Sequence, residues 1–69
     1  MKPRRPPTLP DLLVRIGRYG YRVDIGYRVG ETLVILRGEN LLAPPVARFT
    51  DPVPEEAARA ALRWARNRQ

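Results

Sequence analysis

The stretch YRVDIGYRVGETLVILR, residues 21–37, decides the fold. Apolar side chains recur at every second position, Tyr21, Val23, Ile25, Tyr27 and Val29, between Arg22, Asp24, Gly26 and Arg28. Successive side chains of a strand point to opposite faces, so this alternation predicts a strand with one buried face. Gly30 and Glu31 fit a two-residue type II′ turn, and residues 32–37 read as the returning strand. Such a loop sets Val29 opposite Thr32, Tyr27 opposite Val34, Ile25 opposite Leu36, Asp24 opposite Arg37 and Arg22 opposite Glu39. Three pairs on the apolar face and two opposite-charge pairs then share one register. Leu33 and Ile35 fall on the other face of the returning strand, which is therefore not purely polar. Either a helix or another chain covers it, and these two residues are a candidate protein interface.

Upstream, Leu9, Leu12, Leu13 and Ile16 follow the i, i+3, i+4, i+7 spacing of an amphipathic helix. Thr8 and Asp11 make a capping box, Pro10 suits the first turn, and Gly17 and Gly20 supply the stop. A strand over residues 12–16 is the competing reading. Downstream, Gly38 to Asn40 form a turn and Leu41 to Pro45 an irregular connection. Residues 46–50 read as a short third strand, limited by Pro44 and Pro45 to an edge. Pro54, the acids Glu55 and Glu56, and the arginines that follow predict a last helix over residues 54–67. Ala57, Ala58, Ala61, Leu62, Trp64 and Ala65 share its apolar arc, while Arg59, Arg63 and Arg66 form a stripe on the other side. The expected fold is a small α+β domain: a short helix, an antiparallel hairpin or three-stranded meander, and a C-terminal helix packed on the sheet. It spans residues 11–69, behind a Pro-rich basic arm over residues 1–10 that is expected to be extended and flexible.

The chain has no Cys, His or Ser. The common nucleophile and base pairings and the His/Cys metal sites therefore cannot be built, and no metal, catalytic residue or cofactor is expected. Glu55 and Glu56 read as first-turn helix charges, and Asp24 and Glu39 as cross-strand partners, so no carboxylate pair looks catalytic. No apolar run approaches the ~20 residues of a membrane span. The N-terminal cations are followed by prolines and not by an apolar segment, so no signal peptide is expected and a cytoplasmic address is the default.

Lys and Arg number 13 against seven acids, a formal net charge of +6. Twelve of the 13 are Arg, a bias that a GC-rich coding sequence also produces. Such a charge favours polyanionic partners, and a non-enzymatic nucleic-acid-binding or regulatory accessory protein is the leading expectation. Its candidate contacts are Lys2, Arg4 and Arg5 of the arm, Arg18 and Tyr19 of the first helix end, Arg22 and Arg28 of the hairpin, and the stripe Arg59, Arg63, Arg66. Glu55 is expected to pair Arg59 four residues on. Tyr21 and Tyr27 share the apolar hairpin face and read as core, leaving Tyr19 as the exposed aromatic. The alternative is a protein-interaction module, inhibitor or adaptor, or a homo-oligomer, working through Leu33, Ile35 or Trp64. Trp64 also reads as the anchor of its helix on the sheet.

Gly17-Arg18-Tyr19-Gly20 resembles the GXXG loop of KH domains, which joins two helices, whereas a strand follows here. The order helix, strand, strand, strand, helix is similar to that of double-stranded-RNA-binding domains. The resemblance implies phosphate contacts at the start of the last helix, where those domains carry cations and this chain carries Glu55 and Glu56. The first half is similar to HicA-type toxins, whose catalytic His has no counterpart. Pro54-Glu55-Glu56-Ala57 resembles the end of HicB-type antitoxins, and the helix-then-hairpin order resembles docking domains of assembly-line synthetases. No family is assigned from these fragments.

Overall fold

In the computed structural model, which describes residues 7–40 and 42–68, the elements run α1 (Leu9–Arg18), β1 (Arg22–Arg28), β2 (Glu31–Arg37), β3 (Ala47–Asp51) and α2 (Pro54–Asn67). The strands form one antiparallel sheet in the order β1-β2-β3. Residues 12–16 are helical, and the third strand is present one residue later than the spacing indicated.

The capping box opens α1: the Thr8 hydroxyl accepts the Asp11 N–H, and the Asp11 carboxylate accepts the Thr8 N–H at 3.1 Å. The Thr8 N–H donated to the carboxylate, the Thr8 hydroxyl beside it and the charge of Arg15 hold the Asp11 carboxyl below its ordinary value of 3.8. A carboxyl group depressed in the fold stabilises it above its unfolded value and ceases to do so as pH falls through the lower folded value. Acid titration is therefore expected to fray the first turn of α1 below about pH 4, read by amide exchange at Leu12 and Leu13. In Asp11→Ala the same amides should exchange quickly at neutral pH with no further acid step of this origin. Gly17 lies inside the helix, Tyr19 caps it, and Gly20 leaves with φ +91°. The helix takes in Leu9 and Pro10, the last two residues of the expected arm.

The hairpin turn is placed differently from the expectation. Arg28 pairs with Glu31, so the two loop residues are Val29 and Gly30, and Gly30 takes φ +72°, a conformation that favours glycine. Every β1 residue consequently pairs two positions earlier on β2: Tyr27 with Thr32, Ile25 with Val34, Val23 with Leu36, Arg22 with Arg37. A slip of two preserves the faces, because two is the side-chain period. Val29 is fully exposed in the loop and Tyr27 is 68% exposed, so neither joins the core. The Arg22–Glu39 pair is absent, since Glu39 lies beyond the strand. Asp24 still meets Arg37, whose Nε donates to Oδ2 at 2.7 Å across the diagonal.

Both helices pack on one side of the sheet. Ile16 of α1, Val34 and Leu36 of β2, and Ala57 and Ala61 of α2 make the buried centre, with Val23, Ile25 and Phe49 packed against it. α1 lies over β1 and against α2, which covers β2 and β3. Four buried alanines, Ala57, Ala58, Ala61 and Ala65, let α2 approach closely. Trp64 is half-buried, edge-on to Tyr21 (5.5 Å between centroids) and Phe49 (6.4 Å). Arg68 lies over its ring at 4.6 Å. Among the described residues no helix is long and apolar enough to cross a membrane.

Candidate nucleic-acid interface

The helical layer carries a cleft of about 430 Å³ between the last turn of α1 and the later turns of α2, lined by Arg15, Arg18, Tyr19, Leu62 and Arg66. Two further depressions share its walls. One lies along α2 under Arg59, Leu62, Arg63 and Arg66, and the other along α1 under Asp11, Val14, Arg15 and Arg18. Because neighbouring depressions share residues, they form one trough that crosses from α1 to α2.

Local sequence rules place these arginines. On α1 the apolar positions Leu12 and Ile16 face inward, which turns Arg15 and Arg18 outward one turn apart. On α2 the alanine stripe faces the sheet, which turns Arg59, Arg63 and Arg66 away from it. Arg59 is paired with Glu56, three residues earlier, and not with Glu55 as expected. Glu56 lies one turn before Arg59 at i, i+3, a spacing that serves as well as i, i+4. Among the described residues Arg15, Arg18, Arg63 and Arg66 have no ion-pair partner.

Arg15, Arg18 and Arg66 each sit in a last turn, where they offset a helix dipole. Two C-terminal poles of about half a negative charge each leave the three guanidinium groups with a surplus of roughly +2. The cleft is thus cationic even after its helices are neutralised. Among the described residues its lining comes from the end of α1 and the later turns of α2 and includes no helix start, so an anion there depends on the arginine side chains. Bidentate guanidinium donors suit phosphate oxygens, the Tyr19 ring supplies a stacking surface, and Leu62 gives an apolar floor.

The candidate residues read from the sequence do not form one site. Arg18, Tyr19, Arg59, Arg63 and Arg66 are gathered by the trough. Arg22 and Arg28 lie on the opposite face of the sheet with Leu33 and Ile35. Trp64 lies in the aromatic cluster described above. Lys2, Arg4 and Arg5 are outside the described residues. Arg15 and Leu62 are trough residues that the sequence does not single out, because the first reads as a helix-end charge and the second as core.

Among the described residues no three His, Cys, Asp or Glu side chains come together to hold a metal. Comparison with protein-family models, curated proteins and solved structures found no match. The trough geometry therefore carries the functional reading by itself.

Proposed function

We propose that this chain is a non-catalytic nucleic-acid-binding protein whose helical layer grips the phosphate backbone in the trough between α1 and α2. The observation that carries this reading is the convergence of Arg15 and Arg18 from one helix with Arg66 from the other around Tyr19. Arg63 and the Glu56-paired Arg59 extend the cationic track along α2. The two helix dipoles account for about one of the three charges at the cleft, and a surplus of roughly +2 remains to face an anion.

The test is fluorescence anisotropy with labelled single- and double-stranded DNA and RNA across a salt series. Four unpaired arginines in contact with phosphates should give a slope of log affinity against log salt of about −3 for a single strand and about −3.6 for a duplex. A parallel series with a chain lacking residues 2–6 measures the contribution of Lys2, Arg4 and Arg5 while leaving the Thr8 cap in place. Binding that survives physiological salt supports the proposal. Binding confined to low salt, with no preference among the four probes, reduces it to nonspecific attraction by net charge.

A further inference from the structure

The sheet face opposite the helices has no helix over it among the described residues, and its side chains are laid out symmetrically about β2. Ile35 sits between Asp24 on β1 and Arg48 on β3, and the next row sets Leu33 between Gly26 and Thr50. We infer that this face is a homodimer interface, formed by a second copy related by a twofold axis parallel to β2.

The argument is one of complementarity. Rotation about that axis lays β1 of one copy over β3 of the other and keeps each row level with itself. Asp24 then meets Arg48 of the partner subunit, and the relation repeats on the other side of the axis. Ile35 and Leu33 meet their own counterparts in the middle, as a self-complementary interface requires. Gly26, the one position of these rows without a side chain, receives Thr50 of the partner subunit. A Cβ at Gly26 would stand 4.0 Å from Leu33 of the same chain, so the notch is bounded but open. Arg48 has no ion-pair partner of its own among the described residues, and the twofold supplies one. Arg37 faces itself across the axis but is already held by Asp24 at 2.7 Å. Glu31, also self-opposed, is the register partner of Arg28 on β1, a neighbouring charge of opposite sign.

The other in-plane twofold, across the strands, sets Glu31 against Arg37. It makes as many opposite-charge contacts but sets Arg22 against Arg28 and leaves Arg48 with no acid, whereas the axis along β2 gives the unpaired Arg48 a carboxylate. A three-stranded face is small beside the ~800 Å² per partner of a standard interface, so the dimer should dissociate in roughly the micromolar range or above. The troughs face outward in such a dimer and both stay open, so this inference goes beyond the nucleic-acid reading and does not depend on it.

Sedimentation equilibrium of the full chain, from micromolar to near-millimolar concentration, tests the inference with two charge reversals. Arg48→Asp alone sets a second carboxylate against Asp24 of the partner subunit, and Asp24→Arg alone sets two guanidinium groups together. Each should weaken self-association by about tenfold or more, the size expected when a well-placed charge pair becomes a repulsive one. In an equimolar mixture of the two variants, one of the two cross-subunit contacts in a heterodimer joins the parent Arg48 to the parent Asp24. The other joins the two substituted positions with their charges exchanged. Both contacts are then opposite in sign, so the heterodimer should regain close to the parent affinity. Circular dichroism confirms that each variant is folded, and Arg48→Asp breaks no ion pair within its own chain. A parent that stays monomeric throughout overturns the inference. So does a dimer indifferent to both reversals, or a mixture no tighter than the single variants.

Discussion

Leu36→Ala is expected to leave most of this chain unfolded at room temperature or to lower its melting temperature by more than about ten degrees. Leu36 is fully buried on the central strand, in the cluster where both helices meet the sheet. Removing such a side chain costs about 2–5 kcal/mol, because the lost transfer energy is joined by a cavity that the surroundings only partly fill. A domain of this size holds on the order of 3–10 kcal/mol in total. The α2 surface facing Leu36 offers alanines, which have no longer rotamer with which to refill the space. Leu42→Ala is the matched control, since Leu42 is 97% exposed and its loss should stay within about 0.5 kcal/mol. Thermal circular dichroism reads both. Equal melting temperatures for the two variants would mean that the core is not centred on β2.

What the sequence revealed of this arrangement, and what it hid, has a physical pattern. The α1 start was legible because a capping box is local: Thr8 and Asp11 satisfy each other's backbone whatever the rest of the chain does. The last helix was legible for the same reason, through Pro54, the two acids and the alanine stripe. The hairpin register was not, because moving the turn from Gly30-Glu31 to Val29-Gly30 slips the pairing by two and leaves every side chain on the same face. Hydrophobic alternation is blind to an even slip. The opposite-charge pairs were a misleading tie-breaker, since the long Arg37 side chain reaches Asp24 from the diagonal position as readily as from the opposite one.

The trough was half legible for a different reason. The stripe Arg59, Arg63, Arg66 belongs to one helix and follows from its period alone. Its completion by Arg15 and Arg18 depends on α1 and α2 lying side by side on the same face of the sheet, a tertiary relation that no local spacing encodes. The row Asp24, Ile35, Arg48 was hidden likewise, because it exists only once β3 is paired to β2 in register. Both surfaces are made of residues brought together from separate elements, while the helix starts, read correctly, each lie within one.

Arg15→Ala/Arg66→Ala is expected to lower affinity for nucleic acid by roughly one to two orders of magnitude near physiological salt, and to flatten the salt slope by about two. Arg22→Ala/Arg28→Ala, on the opposite side of the sheet, should leave both quantities nearly unchanged. The comparison is informative because each double variant lowers the formal net charge from +6 by the same two units. If affinity came from net charge alone, the two variants would weaken binding equally, since long-range attraction does not depend on which side of so small a domain a charge occupies. The trough reading requires them to differ. Guanidinium groups that touch phosphate release counterions and donate charge-assisted hydrogen bonds, whereas those on the far face do neither. Tyr19→Ala separates the two components of the site itself. It should weaken single-strand binding by about 1–3 kcal/mol if a base stacks on the ring, while the salt slope stays as in the parent. A larger loss in Arg22→Ala/Arg28→Ala than in Arg15→Ala/Arg66→Ala would move the nucleic acid to the open sheet face. It would also set binding in competition with the dimer proposed there, and adding nucleic acid would then dissociate the dimer instead of leaving it intact.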